Sequence, residues 1–499
     1  MNQLDLLLVN APSRIGVYEE LSQFTAIEPP VWALLIARYC LNRGYSVQIL
    51  DAEAEGLTTS QTAARINDAR PRLAAFCVYG HQPSASTQCI PGAEATAKLV
   101  DGRIPTLALG THSSALPERT LREGPWTYVC QGEGPRTIIE LLNAIKTNSL
   151  EFPKSHPPGL WWRGLSQCYV HSQPTTNIEN LDQELPDQVW ELVDMKKYRP
   201  HHWHLWTGDP NGGYASVQTS LGCVFRCQFC CIQAPFGDTN PRMRFWSPKN
   251  IVTQIHYLVR ALNITNLKLP DEMFCLNRKH VKEICRGLID LKLGDQLNIW
   301  AYARIDTVQD TEMLNLMRSA GFRWLGIGIE SASKHVRDGV EKGRFGNEQI
   351  LEAVGRVKAE DIHVGANYIF GLPDDTIESM QETLDLACSI NSPYSNFYCA
   401  MAYPGSPLHI TAKEKGWLLP EDTTTGWSGY SQHAYETLPL PTETLSSAEV
   451  LAFRDEAFMH FHSRPKYLSM LQATFGDSAV ASMQQILSHG KPKRRLLDD

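Results

Sequence analysis

A chain of 499 residues has room for about three domains. With 43% hydrophobic and 20% charged residues it can bury cores and is not a disordered chain. A formal net charge of −8 argues against nucleic acid as the main partner. No apolar run approaches the roughly 20 residues that span a bilayer, and the start, MNQLDLLLVNAPSR, lacks a secretion signal, which predicts a cytoplasmic protein.

In chain order, residues 1–148 alternate strand and helix signals. LDLLLVN (Leu4–Asn10) runs into Ala11-Pro12-Ser13, and the helical pattern Pro30–Gly44 leads to YSVQILD. Further strands are expected at LAAFCVYG, PTLALGTHSS and WTYVCQGEG, with helices near 59–69, 92–101 and 136–146. Five strands separated by helices predict an open, doubly wound parallel sheet. Ligands of such sheets sit beyond the carboxyl ends of the strands. Candidate ligand loops are therefore Asn10–Ser13, Tyr79–Ser86, Gly110–Ser114 and Gln131–Gly134.

Residues 149–211, rich in Pro and Trp, read as an ordered but irregular connector. Its His201, His202 and His204 lack a second ligand motif at metal spacing, so an aromatic patch is the expectation. From 212 to 405, six strand signals alternate with amphipathic helices: Tyr214–Ser220, Asn266–Glu272, Leu297–Arg304, Trp324–Ser331, Val364–Gly371 and Tyr394–Gly405. They predict a partial parallel (β/α)6 barrel. Residues 406–499 read as mainly helical, ending in a basic Lys491–Arg495 tail expected to be solvated.

Of 13 cysteines, most stand alone among apolar residues and read as buried thiols. The exception follows the first barrel strand: Cys223, Cys227 and Cys230, spaced Cys-x3-Cys-x2-Cys, with Cys231 adjacent. Three soft thiolates can hold three irons of a [4Fe–4S] cluster and leave the fourth iron open. Cys231 as a fourth ligand and a structural zinc site are the alternatives; zinc usually asks for a second Cys-x2-Cys knuckle, which is missing.

With Phe229 before the third cysteine, this motif resembles that of the radical S-adenosylmethionine (SAM) superfamily. The resemblance implies that the open iron binds SAM and that an electron from the cluster cleaves it to a 5′-deoxyadenosyl radical. It also implies SAM contacts at Phe229, at Asp271 or Glu272 after the second barrel strand, at Arg304 after the third, and at Glu330 after the fourth. Phe370-Gly371-Leu372-Pro373 and Tyr403-Pro404-Gly405 look like the fifth and sixth strand ends of that family.

A doubly wound domain ahead of such a barrel resembles the cobalamin (B12)-binding class of the superfamily. Gln131-Gly132-Glu133-Gly134 and Leu109-Gly110-Thr111-His112 look like its loops. The implied cobalamin contacts are Asn10, Ala11, Pro12, Tyr79, Gly80, His81, Gly110, Thr111, His112, Gly132, Glu133 and Gly134. Asp-x-His-x-x-Gly, the motif that supplies a lower cobalt ligand in free-standing corrinoid domains, is missing. For His81 and His112 packing or hydrogen bonding is therefore the expectation.

The expected activity is methyl transfer to an unactivated carbon of a small metabolite by way of methylcobalamin. A flavodoxin or ferredoxin would serve as electron donor. The alternatives are a B12-dependent oxidative cyclase or ring-rearranging enzyme, and a non-catalytic iron–sulfur or corrinoid carrier.

Overall fold

The computed structural model describes residues 3–80, 82–147, 156–164, 168–237 and 241–498. Its first sheet contains the five expected strands: β1 (Leu6–Asn10), β2 (Val47–Asp51), β3 (Leu73–Cys77), β4 (Thr106–Leu109) and β5 (Tyr128–Cys130). They run parallel in the order β2-β1-β3-β4-β5. Alternation along each strand feeds two separate cores. Leu6, Leu8, Leu73 and Ala75 meet the helices Val31–Leu41 and Pro135–Thr147 on one face. Leu7, Val9, Ala74 and Phe76 meet Thr59–Ala69 and Ala85–Ala97 on the other.

Two features depart from expectation here. The helix expected from residue 92 starts at Ala85 and carries Pro91 inside it. The predicted irregular connector supplies β6 (Leu160–Arg163) and β7 (Tyr169–His171), which pair antiparallel beyond β5. An uncovered β5 edge would offer unpaired backbone groups, and these strands satisfy them.

The second sheet is the expected partial barrel. After β8 (Gly213–Ser216), the expected first strand breaks. Ser220–Gly222 (β9) instead pairs antiparallel with Met243–Phe245 (β10). Then follow β11 (Ile264–Lys268), β12 (Asn298–Arg304), β13 (Phe322–Glu330), β14 (His363–Phe370) and β15 (Tyr394–Cys399). The six strands are parallel, in the order β15-β14-β13-β12-β11-β8. Amphipathic helices such as Pro248–Leu262 and Arg278–Asp290 cover the outside and close one continuous core.

The C-terminal part is helical, and Ser447–Ser463, opened by a Ser446/Glu449 capping box, packs against β15. Of the basic tail, Lys491 and Lys493 are exposed as expected, but Arg494 is not. Arg494 is 1% exposed, pairs with Asp455 at 2.9 Å and donates to the carbonyls of Ala434 and Gln432. Deleting residues 491–499 is expected to cost about 1–3 kcal/mol, because Asp455 keeps only Arg454 while those carbonyls lose a buried donor. A denaturant unfolding curve checks this; a solvated tail would leave it unmoved.

No helix among the described residues is long and apolar enough to cross a membrane.

Candidate functional site

The two sheets face each other across one cavity. Asn10, Ala11, Tyr79, Gly80 and Thr111, beyond the carboxyl ends of β1, β3 and β4, form one wall. Ser216, Gln218, Gly222, Pro270 and Glu272, at the barrel mouth, form the other. The sheet's strand order reverses between β1 and β3, the position where open parallel sheets leave a crevice. Trp32 stacks on Tyr79 with ring centroids 4.4 Å apart and planes at 10°, and Phe236 lies 6.2 Å from Trp32, so aromatic rings shield this side from water.

The first wall is held by hydrogen bonds to loops. Asn10 Nδ2 donates to Asp51 Oδ1 at 2.8 Å, and Tyr198 from the connector donates to Asp51 Oδ2 at 2.8 Å. Burial pushes the Asp51 carboxyl up from 3.8 to about 6, against those donors. A raised folded-state pKa favours the neutral form. This group's contribution is therefore full below about pH 4 and is lost as pH rises through about 6. Relative to Asp51→Asn, the protein is expected to lose roughly 3 kcal/mol across that window, read from urea midpoints at successive pH values.

Other expected cobalamin contacts lie elsewhere. Glu133 is 3% exposed and bonded to Arg244 of β10, and it accepts from the Ile178 amide at 2.7 Å. Its carboxylate is thus committed to joining the two halves. His112 is 1% exposed, packs edge-on to Trp427 at 4.5 Å, and burial pushes it down to about 3. Gly110, Gly132 and Gly134 serve close packing. A Cβ on Gly110 would sit 2.0 Å from the Val78 oxygen, and one on Gly134 2.8 Å from Leu109. Pro12 packs against Gly92, and like these glycines it is not among the cavity's lining residues. His81 lies outside the described residues.

The cysteine loop leaves β9 at Gly222, whose φ of +92° and contact with the Arg242 carbonyl exclude a side chain. Cys223 and Cys230 pack in one cluster with Ile232 and Met273, and Cys227 lies within electrostatic reach of both. Burial pushes the Cys223 thiol up to about 11 and Cys230 well above its usual value. Cations stand nearby. Arg304 lies 3.8 Å over the Phe225 ring, is anchored by Asp306 at 3.0 Å, and places a guanidinium nitrogen 3.7 Å from Cys227 Sγ. Lys342 is buried, pairs with Glu330 at 2.6 Å and lies 5.9 Å over Phe229. A Cβ on Gly328 would strike both partners of that pair, so glycine there makes the room.

Among the described residues no three His, Cys, Asp or Glu side chains converge tightly enough for a single metal ion. A four-iron cube takes one thiolate per iron, and the Cys223, Cys227 and Cys230 loop offers three such donors.

The structure separates the two adjacent carboxylates. Asp271 is 2% exposed and accepts from Thr219 N, Thr219 Oγ1 and Ser220 Oγ, at 3.0, 3.0 and 2.6 Å. It pins the turn that breaks β8 from β9. Glu272 lines the cavity, and burial pushes its carboxyl up to about 7. Phe229, Arg304 and Glu330 lie around the cysteine loop rather than on the cavity wall.

Sequence reasoning missed a buried pair at the barrel mouth. Glu28, in the loop before Val31–Leu41, meets Lys268 at 2.8 Å and accepts from Tyr214 at 2.7 Å and Ser216 at 2.6 Å. The signal for Lys268 was present: a lysine ending a strand, where a buried charge needs a partner. Nothing local marks Glu28. Lys342 was missed as well, since it stands in a loop far from the cysteines in sequence.

Comparison with known proteins agrees with this arrangement. Residues 217–387 match the model of the radical SAM superfamily, and residues 21–142 match that of the B12 binding domain. An uncharacterized methyltransferase of Pyrococcus horikoshii is 27% identical over 475 residues, covering 94% of each chain. The anaerobic magnesium-protoporphyrin IX monomethyl ester cyclase of Rubrivivax gelatinosus is 28% identical over 76% of this chain, which spans 65% of that relative's length. Among solved structures, the radical SAM methyltransferase TsrM from Kitasatospora setae, with cobalamin and a [4Fe-4S] cluster bound, superposes with a TM-score of 0.66 at 16% identity, covering 98% of this chain and 100% of that one. At that identity the likeness concerns the fold. With both family models matched in this order, the chain carries a B12-binding domain followed by a radical SAM domain.

Proposed function

We propose that this protein is a cobalamin-dependent radical SAM methyltransferase that alkylates an unactivated carbon of a small molecule. One observation carries the reading: a single cavity is bounded by the carboxyl ends of the first sheet and by the barrel mouth that bears the cysteine loop. Two cofactors bound on opposite walls would then meet over one substrate, which removes the cost of bringing them together.

Cys223, Cys227 and Cys230 are proposed to hold a [4Fe–4S] cluster, and the Asn10, Tyr79–Gly80 and Thr111 wall to hold cobalamin. When bound, the cluster supplies the electron that splits SAM and the corrinoid supplies a methyl carrier. The chain's own part is electrostatic and steric. Arg304 and Lys342 offset negative charge brought into a buried loop. Glu272 is positioned to take a cationic amino group at the cavity wall. Gln218, which lines the cavity and whose Oε1 is buried with no partner, offers an acceptor to a bound group. Trp32, Tyr79 and Phe236 exclude water. The electron donor is proposed to be a flavodoxin or ferredoxin.

The similarity to the cyclase over 76% of the chain favours a second reading, oxidative ring closure. Anaerobic protein reconstituted with iron, sulfide and cobalamin, then given SAM, a reductant and candidate substrates, separates the two by product mass. A gain of one CH₂ supports methyl transfer, and a loss of hydrogen supports ring closure. Protein that never forms 5′-deoxyadenosine or S-adenosylhomocysteine refutes both.

A further inference from the structure

A second cavity adjoins the first and shares Tyr18, Ala26, Glu28, Gln82, Ala85 and Gln88 with it. Its lining combines β15 and the helix Ser447–Ser463 with first-domain residues such as Phe24, Gln82 and Gln88. Resting on the methyltransferase reading, we propose that this second cavity is the substrate pocket and that it accepts an uncharged, mainly apolar, ring-bearing molecule with one hydrogen-bonding edge.

The walls supply ring surfaces. Along β15 burial alternates, so Tyr394, Asn396 and Tyr398 share the face that lines the cavity while Phe397 and Cys399 enter the core. Trp203 lies 4.7 Å from Tyr394, and His201 stacks on Tyr394 at 6.1 Å. Phe24 and Phe458 add further rings, and Leu21 and Ile486 add aliphatic surface. Such surfaces favour flat or polycyclic apolar groups.

The charges are already committed. Lys268 is paired with Glu28, whose other oxygen accepts from Tyr214 and Ser216. Arg454 donates to the Phe397 carbonyl at 2.8 Å and to Asp455 at 2.7 Å, and Asp455 is also held by Arg494. Burial pushes His433 down to about 3 and His201 well below its usual value, so both rings are neutral. A phosphate, sulfonate or carboxylate entering here would shed its water without finding an uncommitted cation. The remaining polar groups are neutral. Asn396 donates to the Tyr398 hydroxyl, and the Trp203 indole N–H is buried with no partner, a donor left for a ligand oxygen.

The test is fluorescence titration of the full chain with two probes of one skeleton, neutral phenylnaphthylamine and its anionic sulfonate, anilinonaphthalene sulfonate. The neutral probe is expected to bind with one site per chain and at least about tenfold more tightly than the sulfonate. Asn396→Asp, which places a carboxylate in the wall, and Phe458→Trp, which fills the space, are each expected to weaken the neutral probe by about tenfold or more. Circular dichroism checks folding, and if one variant fails to fold the other decides. Equal or tighter binding of the sulfonate, or binding that a folded variant leaves unchanged, overturns the assignment. Because 5′-deoxyadenosine formation is measured separately, an unfavourable outcome here would leave the methyltransferase reading standing.

Discussion

Changing Cys223, Cys227 or Cys230 to serine is expected to take reconstituted protein from about four irons per chain to near none, and 5′-deoxyadenosine formation to background. The reason is the donor set. The three thiols sit in one loop within electrostatic reach of one another, with the Arg304 guanidinium against Cys227. A serine hydroxyl is a hard, weakly acidic oxygen and replaces a thiolate poorly on iron. Cys231→Ser is the internal control. Cys231 is 2% exposed and faces the Gly405 segment rather than the cluster of Cys223 and Cys230. That variant is expected to keep its iron. Iron and sulfide analysis with electron paramagnetic resonance of the reduced protein reads both outcomes. Loss of the cluster in Cys231→Ser as well as in the other three variants would make Cys231 the fourth ligand and close the open iron.

Arg244→Met is expected to destabilise the protein by about 3–5 kcal/mol, among the largest effects of any change outside the cysteine loop. Glu133 and Arg244 form a buried pair, 3% and 6% exposed, that joins the last loop of the first sheet to β10. Removing the guanidinium leaves a buried carboxylate held by the Ile178 amide without its countercharge, and it frees the Ile178 carbonyl of its donor. The double variant Glu133→Gln/Arg244→Met is expected to recover part of the loss, because no unpaired charge remains. Urea unfolding followed by tryptophan fluorescence gives the cycle. The pair also links the two walls of the cavity: Tyr79 donates to the Glu133 carbonyl at 2.8 Å, and β10 pairs with the strand from which the cysteine loop leaves. Loosening it is expected to raise the 5′-deoxyadenosine formed per methylated product, a mark of uncoupling that a purely global loss of stability would not produce.

Much of this architecture was legible because it is written in local periodicity. Strands such as LAAFC and NIWAYAR alternate or run apolar between turn residues, and helices such as Ile377–Ile390 carry Thr/Ser caps. The cysteine spacing was equally local. The misreadings share one cause. A helix was expected only from residue 92, although it starts at Ala85 and runs through Pro91. Leu160-Trp161-Trp162-Arg163 was too short and isolated to signal a strand, yet pairing with β5 makes it one. Tyr214–Ser220 read as a single strand, but Asp271, a residue about fifty positions away, bonds to Thr219 and Ser220 and bends it.

The sequence by itself determined the two α/β layers, their order along the chain and the three-thiol loop, since periodicity and spacing act over a few residues. Only the tertiary structure decided which of Asp271 and Glu272 faces the cavity, that Glu133 is committed to Arg244, and that Glu28 reaches Lys268 across 240 positions. Those outcomes depend on which charged groups are buried opposite one another. Burial of a charge is settled by the whole packed molecule, not by its neighbours along the chain.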